Sequence, residues 1–510
     1  MKLERFKNTK RNSIWGIISK LVLLIFPFIV RATLIKVLGV EYLGLNGLFT
    51  SILNLLNLTE LGIGSAIVFS MYKPLAQNDE EKVCALMNLY KKLYRYIGFI
   101  VLIIGLIIMP IIPKLISSEV PSDINIYLLY IIYLANSVIS YWLFAYKNCL
   151  LQVYQRTDIT AKITIILNVL MYMLQILVLS YIKNYYVYVI TIPIFSILLN
   201  IINAYFSTRL FPQYKCRGKI GKEELIEIKK RVSGLMITKI AYASRNAFDS
   251  IVISFFLGLE IVAIYNNYYY IISALSAILI IFPTSMAAGI GNSLVTESKE
   301  KNIKDLKIIN FLYMTIAGFC FTCTITLYQP FMKAWVGEEL LFSNAIMILF
   351  SVYFLVEKSL NVIGQYFDAA GLWWIGKWKG VIEAGANIIL NIAFCYLWGA
   401  AGVVAATIVT IIFIGFPLTV YYVYKYFFNK PAFKFIINEY IYISIFMAIG
   451  AIVYFVCALM PAGENMIGEI IWMIMRLIIT IGITSVLYLT IFGRFKLFKE
   501  TLNWIKIHFK

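Results

Sequence analysis

Histidine is almost missing from this chain. Among 510 residues there is one, His508, third from the end, which leaves next to no room for a histidine-ligated zinc centre or a histidine general base. Charge is scarce too: 14% of residues are charged, against about 25% in soluble domains, which excludes an ordinary globular enzyme. No G-x-x-x-x-G-K-[ST] stretch occurs, so no phosphate-binding loop of an on-board ATPase is expected. The seven cysteines are scattered. Cys320 and Cys323 form a C-x-x-C inside an apolar run and read as small packing residues rather than a redox pair or a metal site. The strand-length alternation of a membrane barrel is also lacking. What the chain does have is 61% hydrophobic residues and a mean hydropathy of +0.83.

A helix needs about 20 apolar residues to cross hydrocarbon. Fourteen runs approach that length: 13–35, 44–70, 94–113, 125–146, 163–182, 186–207, 232–256, 262–290, 308–329, 341–356, 380–397, 401–424, 436–459 and 467–491. The expected fold is therefore an all-α integral membrane protein of about fourteen helices. The basic start resembles a secretory leader, but it has no small-x-small cleavage site and carries Arg31 where one would lie, so it is read as a retained first helix. With the N-terminus inside, the inner tails and loops hold 36 of the 45 Lys and Arg and the outer loops hold 4. That bias places both termini in the cytosol and explains the net charge of +19 by attraction to anionic membrane lipids, with no need for nucleic acid. The inner stretch 208–231 reads as a solvated connector ending in a short amphipathic helix. Glu357, Lys358 and Asp368 read as solvated at the cytosolic end of span ten. Trp373, Trp374 and Trp378 read as an interfacial belt.

The chain also repeats itself at a spacing of 219 residues. "LGVE" at 38–41 falls on "LGLE" at 257–260, Leu93-Tyr94 on Leu312-Tyr313, Asn168 on Asn387, and Ser19-Lys20 on Thr238-Lys239. Each copy holds six helices, an even number. The expectation is two like-oriented lobes related by a pseudo-two-fold axis along the membrane normal, with substrate held at their interface. The expected division is an N-lobe at 1–210, a linker at 211–231, a C-lobe at 232–430, and an additional helix pair with a basic tail at 431–510.

Two helices carry charge at membrane depth. In the seventh span Lys239, Tyr242, Asn246 and Ser250 share one ridge, and Thr238, Tyr242, Arg245 and Asp249 the next. In the first, Lys20, Pro27 and Arg31 fall on one face. A charge at mid-bilayer costs about 2.5–3.5 kcal/mol even on the lenient insertion scale, so these side chains must face water or one another. Four cations against one acid favour a cavity that binds phosphate or diphosphate, for which Lys and Arg supply both charge and directed donors. The structural alternatives are an Arg245–Asp249 pair at i, i+4, an Arg31–Glu60 pair, and Lys20 snorkelling to the inner face. Glu383, one turn before Asn387, reads either as a proton or sodium site or as a simple polar contact. No metal site and no cofactor is expected.

The stretches "LGVEYLGLNGLFTSILNLLNLTELGIGSAIVFSMYKPLAQND" and "NAFDSIVISFFLGLEIVAIYNNYYYI" resemble helices one to two and seven to eight of Wzx-type polysaccharide flippases. These belong to the multidrug/oligosaccharidyl-lipid/polysaccharide exporter superfamily, and the resemblance runs over essentially the whole chain. It implies a MATE-like fold in the bacterial plasma membrane, and export of undecaprenyl-diphosphate-linked oligosaccharide units to the outer leaflet. It also implies a cationic cavity at Lys20, Arg31, Lys239 and Arg245; on this reading the diphosphate docks against Lys20, Lys239 and Arg245, and Tyr242, Asn246, Asn168 and Asn387 are expected to line the cavity beside the sugars. The implied partners are the lipid-linked oligosaccharide, protons or sodium ions, and other polysaccharide-assembly proteins. A lipid II flippase and a multidrug exporter of the same fold are the rivals. A membrane glycosyltransferase is disfavoured by the short outer loops.

Overall fold

The computed structural model describes residues 5–57, 63–373, 375–461, 463 and 466–508, its side chains at most of these positions but not at 5–10 or 233–246. No strand occurs among the described residues. The chain divides into two compact units, 1–263 and 264–510. The first contains α1 (Arg5–Val37), α2 (Val40–Leu56), α3 (Ile63–Ala76), α4 (Glu80–Ile108), α5 (Ile126–Trp142), α6 (Asn148–Val153), α7 (Thr157–Leu177), α8 (Tyr185–Leu210), α9 (Lys222–Leu257) and the start of α10 (Leu259–Leu279). The second continues with α11 (Ile281–Ser285), α12 (Ala287–Thr296), α13 (Lys299–Val336), α14 (Asn344–Ala369), α15 (Lys377–Trp398), α16 (Ala400–Thr410), α17 (Phe416–Tyr422), α18 (Phe433–Ala458), α19 (Met466–Phe492) and α20 (Lys496–His508).

Eleven helical stretches among the described residues are long and apolar enough to cross a membrane, and a twelfth is a pair bent by 45° at residues 142–145. Of the fourteen expected spans, the other two fall on 44–70, where residues 58–62 lie outside the description, and on α9, where the side chains of 233–246 do. The all-helical membrane fold stands, with eleven or twelve such spans described rather than fourteen.

The 219-residue repeat reappears as local backbone structure. Gly39 separates α1 from α2 with φ 124°, and Gly258 separates α9 from α10 with φ 86°; both breaks use the left-handed region that glycine enters without penalty. Asp79 caps α4 by accepting from the Lys82 N–H at 2.9 Å, and Ser298 caps α13 by accepting from the Lys301 N–H at 3.2 Å. Both pairs are 219 residues apart, so each copy breaks and restarts its helices at matching points.

Gly44 fixes how α2 meets the start of α10. A Cβ there would sit 2.1 Å from the Leu259 carbonyl oxygen. Overpacking of this kind costs about 1–3 kcal/mol. Gly44→Ala should therefore lower the thermal unfolding midpoint of the purified protein, and an unchanged midpoint would show that this approach is not tight.

The stretch after α8 is largely exposed, as expected from its composition, but it is held down at a few points. Phe211 is buried and stacks on Tyr154 at 4.2 Å, and the Tyr154 and Tyr214 hydroxyls lie 2.7 Å apart. Asn88 donates to the Gly218 carbonyl at 2.8 Å, and Lys82 pairs with Glu224 at 3.1 Å. Burial pushes the Cys216 thiol above its ordinary range, with Tyr146 and the Lys91 and Lys147 ammonium groups opposing it. A few aromatic anchors thus hold a polar linker down as a strap on the N-terminal end of α4.

In the second unit α13 and α14 form the centre: 67% and 61% of their most apolar windows are buried, against 11% for the helix at Ile467–Phe492. Hydroxyl pairs Thr326–Thr480 at 3.1 Å and Thr484–Thr322 at 3.2 Å dock α19 on α13. Gly318 and Gly450 give way to the rings of Phe446 and Phe321 between α13 and α18.

Candidate functional site

The first unit places the expected membrane charges on α1 and α9. Lys20 is exposed beside the buried Ser19. Arg31 is half-buried and lies near enough to the Tyr188 hydroxyl of α8 to act on it electrostatically, while Asn46 of α2 hydrogen-bonds that hydroxyl. Groups of α1 and α2 therefore both act on one hydroxyl of α8. Asp249 and Ser250 of α9 are buried. The backbones of Lys239, Tyr242, Arg245 and Asn246 belong to α9, but their side chains lie outside the described residues, as does Glu60 altogether. Asn168 is half-buried on α7, and its amide donates to the Thr164 carbonyl of its own helix at 2.8 Å.

At the start of α7 in the same unit, Asp158 is 1% exposed and gathers cations. Arg11 approaches it at 2.9 Å, Arg156 at 3.2 Å and Lys162 at 4.0 Å. Asn12 accepts from the Asp158 N–H at 2.9 Å and donates to the Gln155 carbonyl at 2.9 Å. Lys162 also sits 4.8 Å over the Trp15 ring. The cluster staples the start of α1 to the start of α7, which sets the register of the helix carrying Lys20 and Arg31.

The second unit corrects the reading of Lys358. Rather than solvated at a helix end, it lies in mid-helix on α14 and is 0% exposed. Its ammonium donates to Glu357 at 2.6 Å and to the Ser276 hydroxyl at 2.5 Å, and it sits 4.8 Å over the Phe354 ring. The Ser276 hydroxyl in turn donates to Glu357 at 3.2 Å, and one turn further on Asn361 donates to the Tyr313 hydroxyl at 2.7 Å. The helix continues because Val362, Ile363, Tyr366 and Phe367 are buried, so the run extends well past the residue where hydropathy falls.

This cluster has a neutral counterpart. Ser276 lies 219 residues after Asn57, and Tyr313 after Tyr94. Asn57 donates to Ser137 at 3.5 Å and accepts from the Tyr141 hydroxyl at 3.0 Å, while Tyr94 meets Tyr141 edge-on at 5.6 Å. The same corner of each copy is polar, amide and hydroxyl in one and ionic in the other.

Asn387 is fully buried between α15 and α16. It donates to Thr407 at 3.2 Å and accepts from Asn391 at 3.3 Å. Glu383, half-buried, packs its carboxylate against Gly415, where a Cβ would meet Oε1 at 2.7 Å. Gly415 ends a π-helical turn, Ile411–Gly415, whose Ile412 carbonyl accepts from the Tyr440 hydroxyl at 2.5 Å. Such turns open a helix locally.

An apolar groove of about 520 Å³ runs between α10, α13 and α19, lined by Ile271, Leu275, Phe319, Leu327, Ile474 and Leu477 among others. Cys320 and Cys323 both line it, so the C-x-x-C faces a hydrophobic surface.

A family profile described as polysaccharide biosynthesis protein matches residues 9–288, over half of the chain. Among solved structures the chain is similar to the lipid II flippase MurJ in an inward closed conformation, at 16% identity and a TM-score of 0.68, covering 94% of this chain and 98% of that one. It is similar to an inward-facing multidrug resistance MATE family transporter of the MOP superfamily, at 15% identity and a TM-score of 0.58, covering 84% and 99%. It is also similar to a MOP superfamily transporter from Pyrococcus furiosus described by a binding pocket of reverse polarity, at 14% identity and a TM-score of 0.52, covering 86% and 96%. These likenesses show the fold, as expected from the sequence. No curated protein sequence matches the chain.

Proposed function

We infer the function from one premise: the chain belongs to the polysaccharide biosynthesis protein family. It is a flippase that carries a diphosphate-linked oligosaccharide on a polyprenyl carrier from the inner to the outer leaflet of the bacterial plasma membrane, with both of its termini in the cytosol. The observation that carries this reading is the set of four cations at membrane depth, Lys20 and Arg31 on α1 and Lys239 and Arg245 on α9, in a chain of that family. Their donors suit a diphosphate. Tyr242 and Asn246 of α9 and Asn168 of α7 are assigned to the sugars. Asn387, enclosed with Thr407 and Asn391, is left out of that lining.

Two structural features support the reading. Arg31 of α1 and Asn46 of α2 both act on the Tyr188 hydroxyl of α8, which brings polar groups of three helices together. The apolar groove of the second unit offers a surface on which a polyprenyl chain can lie. Alternating exposure of the site, driven by a proton or sodium gradient or by consumption of the product outside, completes the cycle, and Glu383 and Asp249 are the carboxylates to examine for coupling. The remaining polysaccharide-assembly proteins supply and remove the cargo.

A lipid II cargo is the second reading, favoured by the likeness to MurJ. Cells lacking the protein should accumulate lipid-linked repeat units on the inner leaflet and lose surface polysaccharide. Accumulated lipid II instead would favour the second reading, and no accumulation of either would refute flipping.

A further inference from the structure

The two helices that follow the repeat bring a carboxyl group into the second unit that no part of the proposed transport site uses. Glu439 of α18 is 1% exposed and Asn310 of α13 is 1% exposed. The Asn310 amide nitrogen donates to Glu439 Oε2 at 2.6 Å. The two remaining oxygens of this pair, Glu439 Oε1 and Asn310 Oδ1, are both buried without a hydrogen-bond partner.

This pattern has a simple chemical reading. An ionised Glu439 would be a charge inside a helical membrane protein with one neutral donor, next to a second unpaired acceptor. Buried charges and buried orphan acceptors are both strongly disfavoured. Adding one proton to Oε1 makes it a donor. A carboxylic acid and a primary amide are complementary planar groups: the amide N–H donates to one carboxyl oxygen, and the acid O–H donates to the amide oxygen. A single proton thereby removes the charge and supplies the missing donor for both orphans.

Among the described residues Glu439 forms no ion pair. On α18 the titratable neighbour is Tyr442, and behind it on α19 stands Tyr488. From α13 the facing group is the Asn310 amide, with Lys307 almost a full turn toward the cytosol. On α14, Lys358 is committed to Glu357 and Ser276, and Asp368 takes the Trp373 indole N–H. On α17 the titratable groups are Tyr421 and Tyr422, and the helix carries no charge. Arg476 of α19 reaches the carbonyls of Met460 and Pro461, at the other end of α18. Glu439 lies six residues into α18, about 9 Å from its first residue, so a proton has a short route from the end flanked by Lys430 and Lys434.

We propose that Glu439 is a proton-binding site, held as the neutral acid by Asn310, and that the acid–amide pair clasps α18 onto α13. Deprotonation then leaves a bare carboxylate between the two helices and loosens the clasp. This assignment does not rest on the cargo proposed above.

Infrared difference spectroscopy of the full chain in lipid nanodiscs tests it. At neutral pH the wild type should show a protonated-carboxyl carbonyl band that Glu439→Gln removes and Asn310→Leu shifts. Glu439→Gln keeps an amide-type donor in place of the acid O–H and should fold. If it does not, the shift caused by Asn310→Leu carries the same information. Raising the pH should bleach the band and lower the amide exchange protection factors across 433–445 (rates divided by the intrinsic rate at each pH) in the wild type, with no such change in Glu439→Gln. A carboxylate signal in place of the acid band at neutral pH would overturn the proton site. Protection factors that ignore pH in the wild type would overturn the clasp.

Discussion

Replacing Lys239 and Arg245 together by alanine should stop export while leaving the protein inserted in the membrane. Insertion is not the expected casualty: each cation removed from the membrane interior relieves about 2.5–3.5 kcal/mol of transfer cost, and alanine is the best helix former. The cargo is the expected casualty. A hydrogen bond to a charged group contributes about 1.5–3 kcal/mol, so each side chain is worth roughly one to two orders of magnitude in translocation, and the pair about three. Accumulated lipid-linked units and surface polysaccharide report the loss, and the protein level in membranes reports folding.

The competing account of Arg245 makes an opposite forecast. Asp249 is buried; if Arg245 serves it as an ion-pair partner, Arg245→Ala strands a carboxylate and lowers stability, and adding Asp249→Asn restores it. If Arg245 instead holds diphosphate, Arg245→Ala is stable and inactive, and Arg245→Lys recovers only part of the activity because the planar fork is lost. Full export by a stable Lys239→Ala, Arg245→Ala protein would end the anion-site reading.

What the sequence reveals here depends on how local the physics is. Spans are legible because hydrocarbon demands long apolar runs. The repeat is legible because its anchors are local: Gly39 and Gly258 hold φ values that other residues avoid, and Asp79 and Ser298 close the first turn of the helices they precede. Lys358 was hidden for the opposite reason. Its burial depends on Glu357 beside it and on Ser276, 82 residues earlier, and a hydropathy profile assigns any Glu-Lys pair to water. Glu439 was hidden because a carboxyl near the inner end of a span is ordinarily solvated; only the packing of α18 on α13 encloses it. The linker's exposure was legible in its composition but its anchors were not, since Phe211 and Tyr214 find Tyr154 across some 60 residues. Asn387 donates to Thr407, 20 residues on, which its own helix does not announce. In each case the missing information was a tertiary partner.

The Lys358 cluster yields the second large effect. Glu357→Gln should be among the most destabilising single changes in the second unit, because it leaves a fully buried ammonium with a hydroxyl and an aromatic face but no counter-charge. Breaking a buried pair by removing one partner costs about 3–5 kcal/mol. Lys358→Met should cost less: methionine fills much of the lysine volume, and Glu357, 13% exposed, keeps the Ser276 hydroxyl as donor. The double variant should recover much of the loss, since two neutral side chains of similar size leave no buried charge. The expected order of thermal unfolding midpoints is therefore wild type, double variant, Lys358→Met and then Glu357→Gln. Non-additivity in that cycle measures the coupling directly. A Glu357→Gln protein as stable as the wild type would mean that the ammonium finds water in the membrane, and the corner shared with Asn57 would then be a wet one.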